Sequence, residues 1–171
     1  LLVQDPWRVF LTTDHPNGAP FTTYPHLIRL LMDRTFRNER LGLINPDAKA
    51  LSTLGSIDRE YSLYEIAILT RAAPARLLGI PDIGHLGAGA TADITVYRDD
   101  ADRERMFTAP EYVFKDGRLV VRDGRVVQVT WGRYHTVAPA YDRGIERRLE
   151  EHFARYQTMR GRRVERRFGW D

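Results

Sequence analysis

The sequence predicts an α/β segment followed by a β segment and a C-terminal helix, and three observations predict it. An apolar run with period-two alternation, Trp7, Val9 and Leu11, stops at Asp14 in a Pro/Asn/Gly turn, and a helical pattern starts at Pro25. Asp116-Gly117 and Asp123-Gly124 each sit between alternating apolar runs, the strongest short-range hairpin signal. Ile145, Leu149, Phe153 and Tyr156 recur at the three- and four-residue steps of one helix face.

Taken in order, Trp7–Leu11 is the predicted first strand, and Pro20 to Pro25 holds the loop after it. The next helix begins at Pro25, where a missing N–H costs no helical bond. Leu27, Ile28, Leu30, Leu31 and Met32 form its apolar face, with Arg29, Asp33 and Arg34 toward water. Asn38 to Asp58 carries Gly42, Asn45-Pro46 and Gly55 as breakers and reads as a long connection with short helical pieces. Ser62-Leu63-Tyr64-Glu65 is a capping box. Pro74 then breaks or kinks that helix, and Gly79 caps the end of a second short turn. From Asp82 the pattern turns to β: a glycine-rich turn from Gly84 to Gly89, strands over Ala92–Tyr97 and Tyr112–Lys115, and two hairpins ending at Val129. In the last helix Glu151 and Arg155 form an i,i+4 pair. Arg160 to Arg167 is a basic run, read either as a solvated tail or as a clamp for an anion.

With 171 residues, 43% hydrophobic and 29% charged, the chain has the composition of a globular protein able to bury a core. No apolar run approaches the roughly eighteen residues of a membrane span, and no signal segment opens the chain, so the expected location is the cytoplasm. Leu1-Leu2-Val3 reads as the interior of a longer polypeptide, so a fragment is expected. The absence of cysteine excludes disulfides, thiolate metal sites and thiol nucleophiles together. Lys49 and Lys115 are the only lysines, so arginine carries nearly all the positive charge.

Asp14 is the leading candidate for chemistry. A carboxylate at the C-terminal end of a strand stands where open α/β sheets and barrels gather their reactive groups. The competing reading makes Asp14 a turn former, its side chain accepting nearby backbone N–H groups.

Two stretches carry a family resemblance. Thr70-Arg71-Ala72-Ala73-Pro74-Ala75-Arg76-Leu77-Leu78-Gly79 and Gly84-His85-Leu86-Gly87-Ala88-Gly89-Ala90-Thr91-Ala92-Asp93-Ile94 resemble the C-terminal signature of the metal-dependent amidohydrolase superfamily. Thr12 to Gly18, Pro20-Phe21-Thr22, Tyr24-Pro25 and the ending Phe153 to Thr158 are similar to the A subunits of formylmethanofuran dehydrogenase and of the formyltransferase/hydrolase complex of methylotrophs.

The resemblance implies a fold: the last βα unit of a (β/α)₈ TIM barrel over residues 1–80, strands of a small β-sandwich over 81–139, and a C-terminal helix with basic tail over 140–171. It also implies a site. Asp14 matches the aspartate that binds one metal of a binuclear zinc centre and handles the proton of the attacking water. From the residues themselves, the adjacency of His15 to Asp14 points to a substrate contact or to support of a ligand rather than to shared metal binding, and Asn17 is a candidate substrate contact or, like Thr13, a turn residue. The implied substrate is an N-formyl amine on a methanofuran-type carrier, cleaved to formate and free amine or made in reverse, with the hydrolytic complex favoured. The family's other ligands, a His-x-His pair, a carboxylated lysine and two further histidines, are expected upstream of Leu1. His15, His26, His85, His135 and His152 show no such spacing, so this chain alone is expected to be inactive. The implied partners are the remainder of the same polypeptide and the other subunits of the complex.

Two other classes compete with this reading. A non-catalytic assembly module would dock a partner through the β meander and the last helix, with Asp14 only shaping a turn. Nucleic-acid binding is not favoured, because the basic run lacks interleaved aromatics and no helix-turn-helix or RNA-recognition motif is present.

Overall fold

Asp33 ends one helix and starts the next, and this joint sets the helical part of the molecule. The computed structural model describes residues 1–132 and 140–156, in two compact units, Leu1–Trp131 and Gly132–Asp171. Helix α1 spans Tyr24–Met32 with Pro25 in its first turn, as the sequence predicts. The Asp33 carboxylate accepts the Phe36 N–H at 2.8 Å and caps α2, Arg34–Gly42, which runs into the stretch predicted to be irregular. Neither Asp33 nor Arg29 faces water as expected. The Arg29 guanidinium lies 4.0 Å from the centre of the Phe36 ring and donates to Asp102 at 3.1 Å. Stacking on an aromatic face and pairing with a carboxylate suit a planar cation better than full hydration would.

The aperiodic stretch after α2 is held by a buried cation. Arg37 donates to the carbonyls of Leu30, Ile57 and Arg59 at 3.0, 2.9 and 3.1 Å, while only 2% exposed. The short helical pieces predicted there are α3, Pro46–Ala50, and a 3₁₀ turn over Leu54–Ser56.

The strand predicted over Trp7–Leu11 is not formed. Pro6–Arg8 is a 3₁₀ turn capped by Asp5, whose carboxylate accepts the Trp7 N–H at 3.0 Å. A strand needs a neighbour to take its backbone donors and acceptors, and among the described residues none pairs with this run.

Helix α4, Leu63–Ala67, opens with the predicted capping box: Ser62 Oγ accepts the Glu65 N–H at 3.2 Å, and Glu65 accepts the Ser62 N–H at 2.8 Å. Pro74 does not break the chain's path. Ile68–Ala72 widens into a π turn, and α5, Ala73–Leu77, restarts with Pro74 in its first turn. Gly79, at φ +68°, closes α5: its N–H donates to Arg76 and that of Ile80 to Ala75, at 3.1 and 3.0 Å. Ile28, Tyr61, Ile66 and Leu69 form the core cluster, with Leu1, Leu11, Leu31, Met32 and Phe107 around it.

A four-stranded antiparallel sheet follows, β1 Ile94–Val96, β2 Tyr112–Lys115, β3 Arg118–Arg122 and β4 Arg125–Val126, in sequential order. Both predicted hairpins form with left-handed Asp-Gly pairs: Asp116 and Gly117 at φ 51° and 75°, Asp123 and Gly124 at 50° and 70°. Strand β4 stops short of Val129 because Val127 and Gln128 both donate to the Val120 carbonyl, two residues against one. Helix α6, Arg103–Thr108, is unpredicted; Asp102 caps it by accepting the Glu104 and Arg105 N–H groups. It packs against α1, so the sheet and the helices belong to one unit. Among the described residues the expected α/β part is helical throughout, since its strand does not form, and the β part is one antiparallel sheet; a complete barrel or sandwich is not among these elements.

In the second unit, α7 spans Ile145–Tyr156 as predicted. Glu151 pairs with Arg147 at 3.7 Å rather than with Arg155, which stacks on Tyr156. The basic run Arg160 to Arg167, the residues Gln157-Thr158 and His135 lie outside the described residues.

Candidate functional site

Backbone bonds alone close the turn that begins at Asp14. The N–H groups of Gly18 and Ala19 both donate to the Asp14 carbonyl oxygen, at 2.7 and 3.3 Å. The Asp14 carboxylate takes no part: among the described residues it has no hydrogen bond or ion pair, and it is exposed. Turn formation by an aspartate side chain, the competing reading, would have engaged it. Gly18 lies against this side chain so closely that a methyl there would stand 2.8 Å from Asp14 Cβ and 3.0 Å from Oδ2. Sequence reasoning passed over Gly18, although a glycine four residues after the aspartate was the available signal.

The His15 side chain is engaged by Phe21. Its Nδ1 accepts the Phe21 N–H at 3.3 Å, and its ring meets the Phe21 ring edge-on with centroids 4.9 Å apart. With Nδ1 as acceptor, the proton of the neutral ring sits on Nε2, which makes His15 a hydrogen-bond donor at the surface. Asn17 is exposed in the same turn, and its amide has no hydrogen bond among the described residues. Asp14, His15 and Asn17 therefore share one turn, with one free carboxylate, one ring donor and one amide.

His85 and His26 are both engaged in structure. His85 Nε2 meets the Pro81 carbonyl at 2.8 Å, and its Nδ1 accepts the Gly87 N–H at 3.1 Å, which fixes the glycine-rich turn. His26 Nδ1 lies 3.3 Å from both oxygens of Glu104 and joins α1 to α6. Among the described residues no three His, Cys, Asp or Glu side chains converge where a metal ion would sit. One exposed carboxylate, Asp14, offers at most one ligand, so the described residues alone do not fit a binuclear zinc centre.

The acidic groups with shifted titration stand away from this turn. The Glu65 carboxyl is held below the usual range, first by the Ser62 N–H and then by Arg59. Hydrogen bonds from Arg105 lower Asp100 in the same sense.

Residues 1–128 match the model of the amidohydrolase family, and the chain belongs to that family. Within it, the chain is 47% identical over 152 residues to the A subunit of the formyltransferase/hydrolase complex Fhc of Methylorubrum extorquens, covering 89% of this chain and 28% of that protein. It is 44% identical over 133 residues to protein FwdA of Methanocaldococcus jannaschii, covering 73% of this chain and 24% of that protein. The crystal structure of the formyltransferase/hydrolase complex FhcABCD of M. extorquens with methylofuran contains a chain with the same fold. It matches at a TM-score of 0.81 and 46% identity, over 89% of this chain and 28% of that one. The chain thus spans about a quarter of the length of these relatives. Among the described residues no helix is long and apolar enough to cross a membrane.

Proposed function

We propose that this chain is the C-terminal part of a zinc-dependent amidohydrolase subunit that hydrolyses the N-formyl bond of a methanofuran-type C1 carrier. In this reading the run Trp7–Leu11 pairs as the last barrel strand only beside neighbouring strands supplied by the rest of the same polypeptide, which also supplies the other ligands. The other subunits of a formyltransferase/hydrolase complex are its partners. The observation that carries the reading is the Asp14 carboxylate, left unengaged by a turn that closes through its own backbone, in a chain 47% identical to the Fhc relative. Hydrolysis is favoured over the reverse reaction because that relative, part of a hydrolase complex by name, matches over more of the chain than FwdA does.

The chemistry follows from one carboxylate and one donor. Bound zinc would lower the pKa of water toward neutrality and polarise the formyl oxygen. Asp14 accepts a proton from the water as it adds to the formyl carbon, then returns it to the nitrogen as the C–N bond breaks. Water and formamide become formic acid and free amine, and the acid's proton passes to the amine or to solvent to leave formate, with no oxidant or reductant. His15 donates from Nε2 to the carrier, and Asn17 offers its amide to the same ligand.

The test is formate release from N-formylfurfurylamine by the full-length protein in its assembled complex, before and after chelation. Formate release that disappears with zinc and returns when zinc is restored supports the reading. Release unaffected by chelation, or a preparation with no formamide hydrolysis and no zinc, overturns it. The assembly-module reading keeps one supporting observation: α7 sets Ile145, Leu149 and Phe153 along one face and buries none of its own residues. One polypeptide can serve both roles.

A further inference from the structure

Helices rarely widen to π geometry without cause, and such turns gather at functional sites. Here the cause is visible. In a continuous α-helix Pro74 would have no N–H for the Thr70 carbonyl and would drive its ring against it. Instead the Ala73 N–H donates to Ile68, one residue further back than in an α-helix. The Thr70 carbonyl takes Arg71 Nη1 at 3.0 Å, and the Thr70 hydroxyl donates to Ile66 at 2.6 Å. The extra residue rotates everything after it by about 100° relative to a continuous α-helix.

That rotation reaches the Asp14 segment by two routes. The 3₁₀ turn Pro6–Arg8 packs on the π turn and on α5, with the Arg76 guanidinium 5.4 Å from the centre of the Trp7 ring. Leu11, three residues before Asp14, packs on the cluster that holds Leu69, a π-turn residue with no exposed surface. The far side is held as tightly. Gly84, at φ +79°, approaches so closely that a methyl there would stand 2.9 Å from the Arg71 carbonyl and 2.7 Å from Ala75 Cβ.

We propose that the π turn Ile68–Ala72, enforced by Pro74, is a positioning device that sets where Asp14 stands relative to the reacting formamide. The proposal rests on the assignment of Asp14 to proton transfer. Pro74 touches no substrate and acts only through the segment that carries Asp14. A misplacement of about an ångström at a proton-transfer group costs rate without costing fold.

The test compares Pro74→Ala with the parent, each as the full-length protein in its complex, reading kcat and KM for N-formylfurfurylamine, melting temperature and assembly. The expected result is a fall in kcat of about tenfold or more, with KM, melting temperature and assembly unchanged. A kcat within twofold of the parent overturns the proposal, as does a loss of kcat that tracks a lower melting temperature. If Pro74→Ala does not assemble, Thr70→Val, which removes the hydroxyl bond to Ile66 at nearly constant volume, is read by the same criteria. Asp14→Asn is measured alongside: full activity there removes the underlying assignment, whereas an inactive Asp14→Asn beside an undisturbed Pro74→Ala removes only the positioning role.

Discussion

The Gly18 N–H donates to the Asp14 carbonyl at 2.7 Å, so the main chain closes the turn and the carboxylate stays free. The same proximity makes Gly18 a sensitive position. Alanine at 18 would place a methyl 2.8 Å from Asp14 Cβ and 3.0 Å from Oδ2, and the side chain must move. Gly18→Ala is expected to lower formamide hydrolysis about tenfold while costing about 1 kcal/mol of stability, the lower end of an overpacking penalty. Parallel measurement of formate release and urea unfolding checks this; unchanged activity would show that the Asp14 side-chain position is unimportant.

Arg37 provides a stability test away from the turn. It is buried, and its guanidinium satisfies three carbonyls on two segments. Arg37→Met leaves those acceptors dry, at about 1–3 kcal/mol for each one that water cannot reach. A loss of about 3 kcal/mol or more in urea unfolding is expected, and a loss below about 1 kcal/mol would mean that water replaces the guanidinium.

The capping box makes stability depend on pH. Hydrogen bonding from the Ser62 N–H and Arg59 lowers the Glu65 pKa below its ordinary 4.5. A group depressed in the folded state stabilises above its unfolded pKa, and that contribution is lost as pH falls through the folded value. Glu65→Gln is therefore expected to be less stable than the parent near pH 7, with the gap closing below about pH 4.5. Unfolding midpoints across that range check the sign; a gap independent of pH would contradict it.

Local chemistry was legible in the sequence where it is self-contained. The Ser62/Glu65 capping box, the Gly79 cap and both Asp-Gly hairpins depend on residues within a few positions of one another, and they form as read. Features that depend on distant partners were not legible. Arg29 reads as a solvent-facing helix residue because Asp102, its partner, is 73 positions away on a helix whose short polar sequence gives no periodic signal. The burial of Arg37 has no sequence signal either, since its three carbonyl acceptors are not visible in side-chain patterns. The run Trp7–Leu11 alternates like a strand, yet backbone pairing needs a neighbour that these residues do not include. At the candidate site, the turn that carries Asp14, His15 and Asn17 was legible from its Pro/Asn/Gly motif. The close approach of Gly18 to the Asp14 side chain was not legible, because it depends on the path of the turn.

The central claim is that the Asp14 carboxylate carries the proton in formamide hydrolysis, and Asp14→Asn in the full-length protein within its complex tests it most directly. The side chain is exposed and has no partner among the described residues, so the asparagine variant is expected to assemble and melt like the parent. Its kcat for N-formylfurfurylamine is expected to fall by about a hundredfold or more, the scale of a lost general acid–base group. A correctly assembled variant with kcat within a few fold of the parent would contradict the claim and leave Asp14 a residue of the turn.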